Sequence, residues 1–216
     1  VEVEWRSAGL TENHTMALIN AGVPVEDPSV QRALTYLRQL KPEKTYTTAL
    51  QTMVLCEAEP KADLLLIRRN ATWIESKQVR SGPMTGGWSY PGAGGGADNS
   101  NSPCARLAMQ AAQDAGVNVS PQTWRLALSY WREGQARDGS WNYQLNGPPA
   151  GTGSMTCAGI ASYVIASGRL SEGDAEVVNG RVQCCARADT DSSIERALSW
   201  LAARFSLNKN PGNPGG

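Results

Sequence analysis

Histidine and phenylalanine are almost missing from this chain of 216 residues, each occurring once, as His14 and Phe205. A serine–histidine–acid triad would have to recruit His14, and no nucleophile-elbow phrase accompanies it. An excess of either charge is also missing. Lys+Arg and Asp+Glu are both 20, so there is no basic field for a phosphate backbone and nucleic acid is not an expected partner. Long apolar runs are missing. The longest, Cys157 to Ala166, contains Gly159 and Ser162 and is too short to span a bilayer, so no membrane span is expected. No CxxC pair occurs among Cys56, Cys104, Cys157, Cys184 and Cys185. That odd set supports neither a disulfide framework nor a zinc ribbon, and the thiols read as small core residues. The chain starts at Val1 without a signal-like segment. We expect an excised piece of a longer protein, with its compartment, cytoplasmic or secreted, left open.

What is present is an ordinary globular balance, with 41% hydrophobic and 19% charged residues. The expectation is one domain over 1–207 and a Pro/Gly/Asn-rich linker-like tail over 208–216. Four segments resemble one another: Arg32-Ala-Leu-Thr-Tyr-Leu37, Asn70-Ala-Thr-Trp-Ile74, Leu126-Ala-Leu-Ser-Tyr-Trp131 and Arg196-Ala-Leu-Ser-Trp-Leu201. Each has Ala or Asn, two intervening residues, then Tyr or Trp, and each sits in a helix-period apolar pattern. Asp27-Pro28 and Ser120-Pro121 read as N-cap plus N1 proline, and Ser192 with Glu195 as a capping box.

Between these amphipathic helices lies a second set, expected over Thr11–Ala21, Thr45–Ala58, Ser102–Ala115 and Met155–Ser167. They are rich in Ala, Ser, Thr and Cys and apolar on more than one face, which suits close packing on all sides. Gly22, Gly116 and Gly168 follow three of them as C-terminal caps. The fold class read from this pattern is all-α, with about four inner–outer helical hairpins and no convincing strand. Stacking such pairs makes the core, because one pair cannot bury its apolar face alone. Two insertions interrupt the repeat. One is Gly-rich, Gly82 to Ala97; the other is Leu170 to Asp191, an excursion or loop carrying Cys184 and Cys185.

Two of the amphipathic helices lead into a distinctive phrase. One is Gln135-Ala-Arg-Asp-Gly-Ser-Trp141; the other is Gln78 followed, after a longer gap, by Gly86-Gly87-Trp88. Both continue as Trp-x-Tyr, to Tyr90 and Tyr143. These phrases resemble the QW motif of squalene and oxidosqualene cyclases. Together with the hairpin repeat they resemble the α/α toroid of terpenoid cyclases and protein prenyltransferases. The phrases Gly-Gly-Trp-Ser-Tyr, Ala-Asp-Asn-Ser-Asn-Ser and Ala-Leu-Ser-Trp-Leu-Ala look similar to the prenyltransferase-like region of uncharacterised bacterial proteins of planctomycete type. The resemblance implies a partial toroid that the rest of a parent chain completes. It also implies that Gln and Trp tie one outer helix to the next hairpin. An amide suits orphan backbone groups at a helix end, and a Trp packs over the turn.

The residues that such enzymes use are mostly replaced. Where a protonating cyclase carries its central acid, Asp98-Asn99-Ser100-Asn101-Ser102 places Ser100, and a hydroxyl does not protonate an alkene. Asp98 is the remaining catalytic candidate, with a turn or N-cap role as the simpler reading. A zinc site of the transferase type uses an Asp, a Cys and a His, and the single histidine, His14, lies far from the other candidates in sequence; a set of Asp98, Cys104 and Cys157 does not complete the ligand count, so no metal or other cofactor is expected. Asp189 and Asp191 make no DDxxD-like cluster. The run Gly92 to Gly96 lacks the Lys-Ser/Thr of a phosphate loop. A sugar-cleaving α/α barrel would pair Asp98 with Asp138, although Asp138-Gly139 is more simply a turn. Any binding site is expected where the two Gly-rich loops meet: Trp88, Tyr90, Asp98, Asn99, Asn101, Trp141, Tyr143, Ser154 and Met155. For Trp88 and Trp141, packing inside the motif is the plainer role. The functional expectation is a non-catalytic binding module for a protein partner or an apolar small molecule. The alternative is an isoprenoid-class enzyme, a cyclase or prenyltransferase, acting on a polyprenyl substrate.

Overall fold

The computed structural model describes residues 2–89, 97, 99–143, 151–171, 176–178, 181–183 and 192–213. Among them run α1 (Glu2–Asn20), α2 (Pro28–Gln39), α3 (Thr45–Ala58), α4 (Leu64–Ser76), α5 (Asn101–Asp114), α6 (Pro121–Glu133), α7 (Gly153–Leu170) and α8 (Ser192–Arg204). The fold is all-helical, as expected, except for one small antiparallel hairpin in the second insertion. There β1 (Glu176–Val178) pairs with β2 (Arg181–Gln183), with Val177 opposite Val182. The sequence reading expected no strand here. The signal was Val177-Val178-Asn179-Gly180-Arg181-Val182: β-branched residues flanking Asn-Gly, the strongest short-range hairpin phrase.

The helix ends follow their caps. Asp27 Oδ1 accepts from Ser29 N at 2.7 Å, and Ser120 Oγ accepts from Gln122 N at 3.2 Å. Pro28 and Pro121 occupy the first helical positions, where a missing N–H costs nothing. Gly22 and Gly116 close α1 and α5 at φ 85° and 91°. The next residues turn back, Val23 N to Leu18 O at 3.0 Å and Val117 N to Ala112 O at 2.9 Å. Three expectations are corrected. The first helix begins at Glu2 instead of Thr11, Gly168 lies inside α7, and Ser192 is the first residue of α8. Its hydroxyl accepts from Arg196 Nη1 at 2.9 Å.

The chain, expected as one domain, divides into two compact units. The first comprises Val1–Gln78, Trp88–Gly96 and Cys104–Val119. In it α1 packs on α2 and α3, and α3 on α4. Its core joins Val30, Leu34 and Leu37 of α2 with Val54 and Leu55 of α3, Ile67 and Ala71 of α4, and Ala112 and Val117. Fully burying each larger aliphatic contributes about 1.5–3 kcal/mol. Arg38 of α2 grips Asp63 at the start of α4 with two bonds, at 2.8 and 2.9 Å, and also pairs with Glu59. The carboxylates hold its guanidinium pKa above the ordinary arginine value.

The second unit comprises Val79–Gly87, Ala97–Pro103 and Ser120–Gly216. In it α7 packs on α6 and α8. Its core is aromatic: Tyr130, Trp131, Trp141 and Tyr163 with Ala97 and Ala197. Trp131 stands edge-on to Tyr130 (centroids 5.5 Å) and to Trp141 (6.3 Å). The small residues of α7 have a concrete purpose. A Cβ on Gly159 would lie 2.4 Å from Trp141 Cδ2, so only glycine admits the indole there.

Candidate functional site: the turns that follow the amphipathic helices

The last carbonyls of an α-helix have no partner within it. Leu37, Ile74 and Trp131 each lie two residues before the last residue of α2, α4 and α6. Each of their carbonyls accepts a buried side-chain N–H. Gln51 Nε2 donates to Leu37 O at 2.6 Å, Trp88 Nε1 to Ile74 O at 2.8 Å, and Trp141 Nε1 to Trp131 O at 2.8 Å. The three acceptors align in the repeated sequence phrase. The motif Trp is therefore a helix-end hydrogen-bond donor as well as a packing group. The Gln was expected at that task, and Gln135 instead reaches the next amphipathic helix. Its Nε2 donates to Gly139 O at 2.9 Å and Ser193 O at 2.7 Å, and its Oε1 accepts from Arg196 at 2.5 Å. The rigid, single-donor indole suits a dry site with one acceptor, and the two-ended amide suits a bridge.

The two motif turns share one backbone pattern. Val79 N donates to Gly87 O (3.0 Å) and Gly86 N to Val79 O (2.8 Å); Ala136 N donates to Ser140 O and Gly139 N to Ala136 O (2.9 Å each). The long gap after Gln78 is thus an insertion, Arg80–Thr85, where the other turn has Arg137 and Asp138. Gly86 and Gly139 have φ of 96° and 93°. A Cβ at either would sit 1.9 Å from Leu126 O or 2.6 Å from Arg196 O. Leu126 and Arg196 are the same position of the repeated phrase. The turn after α2 uses that position as well: Arg69 of α4 donates to Leu40 O at 2.9 Å.

The nine candidate binding residues are placed as follows. Trp88 belongs to the first unit and is fully buried; Trp141, in the second, is equally buried. Both are engaged in the helix-end bonds above. Asn99 is buried and fully used: it accepts from Tyr130 OH at 2.6 Å, donates Nδ2 to Asn142 O at 2.5 Å, and donates its N–H to Tyr143 O at 3.2 Å. Asn101 is fully buried, and Tyr143 is 54% exposed. Met155 packs against the aromatic core. Ser154 is exposed at the start of α7, its N–H bonded to Asn210 Oδ1 at 2.9 Å and its hydroxyl accepting from Asn210 Nδ2 at 3.0 Å. Tyr90 and Asp98, including the catalytic reading of Asp98, lie outside the described residues. So do Cys184, Cys185, Asp189, Asp191 and the run Gly92 to Gly96.

The tail corrects another expectation. Read as a linker, residues 210–212 instead close the N-terminus of α7. Pro211 O accepts from Gly153 N at 2.8 Å, and a Cβ on Gly212 would lie 2.0 Å from Gly151 O. Two other hairpins make a similar closure. Thr45 Oγ1 at the start of α3 donates to Ser89 O at 2.6 Å, and Asn99 before α5 holds Asn142 O.

Two features escaped the sequence reading. A cleft of about 510 Å³ is lined by Asp138, Ser192, Glu195, Arg196, Ser199, Trp200 and Arg204. Asp138 Oδ2 accepts from Trp200 Nε1 at 2.9 Å, and Arg204 stacks 4.8 Å from the Trp200 ring. Burial would raise the Asp138 pKa, but bonds from the Ser140 hydroxyl and N–H and from Trp200 hold it below the ordinary aspartate value. The second feature is Glu12 of α1. It is fully buried, neither carboxylate oxygen has a hydrogen-bond partner, and burial pushes its pKa from 4.5 to about 7. The signal available was an acid at helical spacing from Thr15, Met16 and Ile19, the one face of α1 that packs. Arg106 of α5 is 1% exposed with Nε and Nη1 unbonded, and burial lowers its pKa to about 10. His14 is exposed. Cys104 is half-buried and Cys157 exposed, both as free thiols, and no group of three or more His, Cys, Asp and Glu among the described residues is placed to hold a metal.

No described helix is long and apolar enough to cross a membrane. No family model, no curated protein and no solved structure matches the chain.

Proposed function

We propose that this chain is a helical-hairpin repeat module of α/α-toroid type that binds a polar protein segment and catalyses no reaction. The observation that carries this reading is the lining of the cleft beside α8. Arg196, Arg204, Asp138 and Glu195 surround one indole. The indole itself is nearly buried, covered by Arg204 and bonded to Asp138, so the accessible lining is charges of both signs, which suit a peptide with polar and charged side chains. They do not suit a polyprenyl chain, which would leave those charges desolvated and unpaired. The motif residues support the reading in a second way. Trp88, Trp141, Gln135 and Asn99 are all engaged in tying helices and turns together.

One observation favours the alternative. Glu12 is a buried acid with a pKa near 7, the property a cyclase requires of a general acid. It does not line the cleft. Incubating the purified chain with oxidosqualene, and with farnesyl and geranylgeranyl diphosphate plus Mg²⁺, separates the readings. The binding module yields no product by gas chromatography–mass spectrometry and no bound polyprenyl mass in native spectra. A cyclised or transferred product that disappears in Glu12→Gln would replace our proposal with the enzyme.

A further inference from the structure

The cleft beside α8 is lined by four charged side chains, and they differ in what already satisfies them. Asp138 accepts from Ser140 N at 3.1 Å, from Ser140 Oγ at 2.6 Å and from Trp200 Nε1 at 2.9 Å. Arg196 donates Nη1 to Ser192 Oγ at 2.9 Å and Nη2 to Gln135 Oε1 at 2.5 Å. These two charges are tied into the wall. Glu195 and Arg204 are not: neither makes a hydrogen bond or an ion pair among the described residues. Asp138 senses the Arg204 charge but forms no ion pair with it. Arg204 lies 4.8 Å from the centroid of the Trp200 ring. That contact places the guanidinium and leaves its N–H groups open to an acceptor.

The two open charges stand at opposite ends of the helix. Glu195 lies in the first turn of α8 and Arg204 is its last residue. Nine positions separate them, which is about 13 Å at the rise of an α-helix. Between them the lining offers the Ser199 hydroxyl, while Trp200 is only 4% exposed. The accessible lining is therefore an open carboxylate at one end, an open guanidinium at the other and a polar stretch between.

We infer that the cleft selects a protein segment bearing one acidic and one basic side chain four positions apart, the acid held by Arg204 and the base by Glu195. The inference rests on the proposal that the cleft binds a protein segment. A stretch this short does not hold a helix in water, so it binds extended. At about 3.3 Å per residue, about 13 Å corresponds to four residues. An even separation also sets both side chains on one face of the strand. The guanidinium fork of Arg204 suits a carboxylate, and the Glu195 carboxylate suits an ammonium or guanidinium. A segment with two acids or two bases would set one open charge against its own sign, so the pair discriminates as well as binds.

Panning a phage-displayed library of random linear peptides against the immobilised chain tests this, with fluorescence anisotropy on synthetic copies of the enriched peptides. Enriched peptides should carry an acid and a base four positions apart, in either order. Their affinity should fall by about threefold to fivefold in Arg204→Gln and in Glu195→Gln, the size expected of exposed charge pairs. Replacing the peptide's acid by its amide should abolish the effect of Arg204→Gln and leave that of Glu195→Gln; replacing its base by norleucine should do the converse. A third variant, Ser199→Trp, fills the cleft without touching either charge. All three positions are exposed, so circular dichroism melts should match the parent. Enriched peptides that lack the paired charges, or that bind Arg204→Gln and Glu195→Gln as tightly as the parent, overturn the inference. If Ser199→Trp still abolishes their binding, the cleft stands as a segment-binding site with a different preference. Enrichment of no peptide, or only of peptides that bind Ser199→Trp unchanged, overturns the segment-binding proposal and this inference with it.

Discussion

Replacing Trp141 with phenylalanine removes a single hydrogen-bond donor and part of one ring from the core of the second unit. Trp141 has no exposed surface, and its indole N–H is held 2.8 Å from Trp131 O. Losing the donor leaves that helix-end carbonyl unmatched in a dry place, costing about 1–2 kcal/mol. The missing ring atoms leave a void between Trp131 and Gly159, costing about 1–2 kcal/mol more because α7 cannot collapse fully onto it. The expected loss is about 2–4 kcal/mol, and at about 2–4 °C per kcal/mol for a chain of this size the melting temperature should fall by about 5–15 °C. Urea unfolding followed by near-ultraviolet circular dichroism measures the change, with Trp73→Phe as the control. Trp73 is half-buried, lies outside both core clusters and is stacked by Lys77, so its replacement should cost under about 1 kcal/mol. If Trp141→Phe costs no more than Trp73→Phe, the indole tie is not what holds the end of α6, and the account of the repeat given above is wrong.

Other perturbations separate the causes of stability. Gly22→Ala and Gly86→Ala both force a Cβ into a positive-φ position, but Gly22 faces open space while Gly86 faces Leu126 O at 1.9 Å. Thermal melts should show a loss of about 1 kcal/mol for the first and clearly more, about 3 kcal/mol, for the second; equal losses would mean that the turn does not seat on α6. Asn210→Ala should cost about 1 kcal/mol by removing a cap from α7, and truncation before Asn210 at least as much; a tail acting as a free linker would show neither loss. Glu12 has a folded pKa of about 7 against 4.5, so below 4.5 both states carry the proton and the shift contributes nothing to stability. As pH rises from 4.5 through 7 the unfolded state ionises first and stability is lost, by at most about 3 kcal/mol. Glu12→Gln should therefore match the parent near pH 4.5 and exceed it at pH 8 in urea titrations; parallel pH profiles would show that Glu12 is solvated.

Much was legible locally. The caps Asp27-Pro28 and Ser120-Pro121, the glycine stops at Gly22 and Gly116, and the apolar period of α2, α6 and α8 depend on residues within one or two turns of each other. Sequence order therefore already encodes their spatial order. The span of α3 also agreed to the residue, although it has neither a side-chain cap nor a glycine stop. The repeat phrase also carried over, because one side-chain position per hairpin recurs in each copy. The α1 start and the Gly168 stop did not carry over, because small, non-periodic helices give no edge to read. The Val-Val-Asn-Gly-Arg-Val hairpin was legible by turn chemistry, although it lay within a segment read as an irregular excursion.

The composition and the hairpin repeat, by themselves, determined that this protein is helical, and they located the glycine and tryptophan positions that matter, since backbone conformation at a turn and helical periodicity are local properties. Only tertiary structure decided what those residues do. That Trp88 and Trp141 satisfy carbonyls at helix ends, that Gln135 spans to α8, that Pro211 and Gly212 close α7, and that Glu12 is sealed from water all depend on groups brought together from distant parts of the chain. Their energies come from desolvation and from hydrogen bonds at particular distances, and neither can be read from residue identity until the partner is in place.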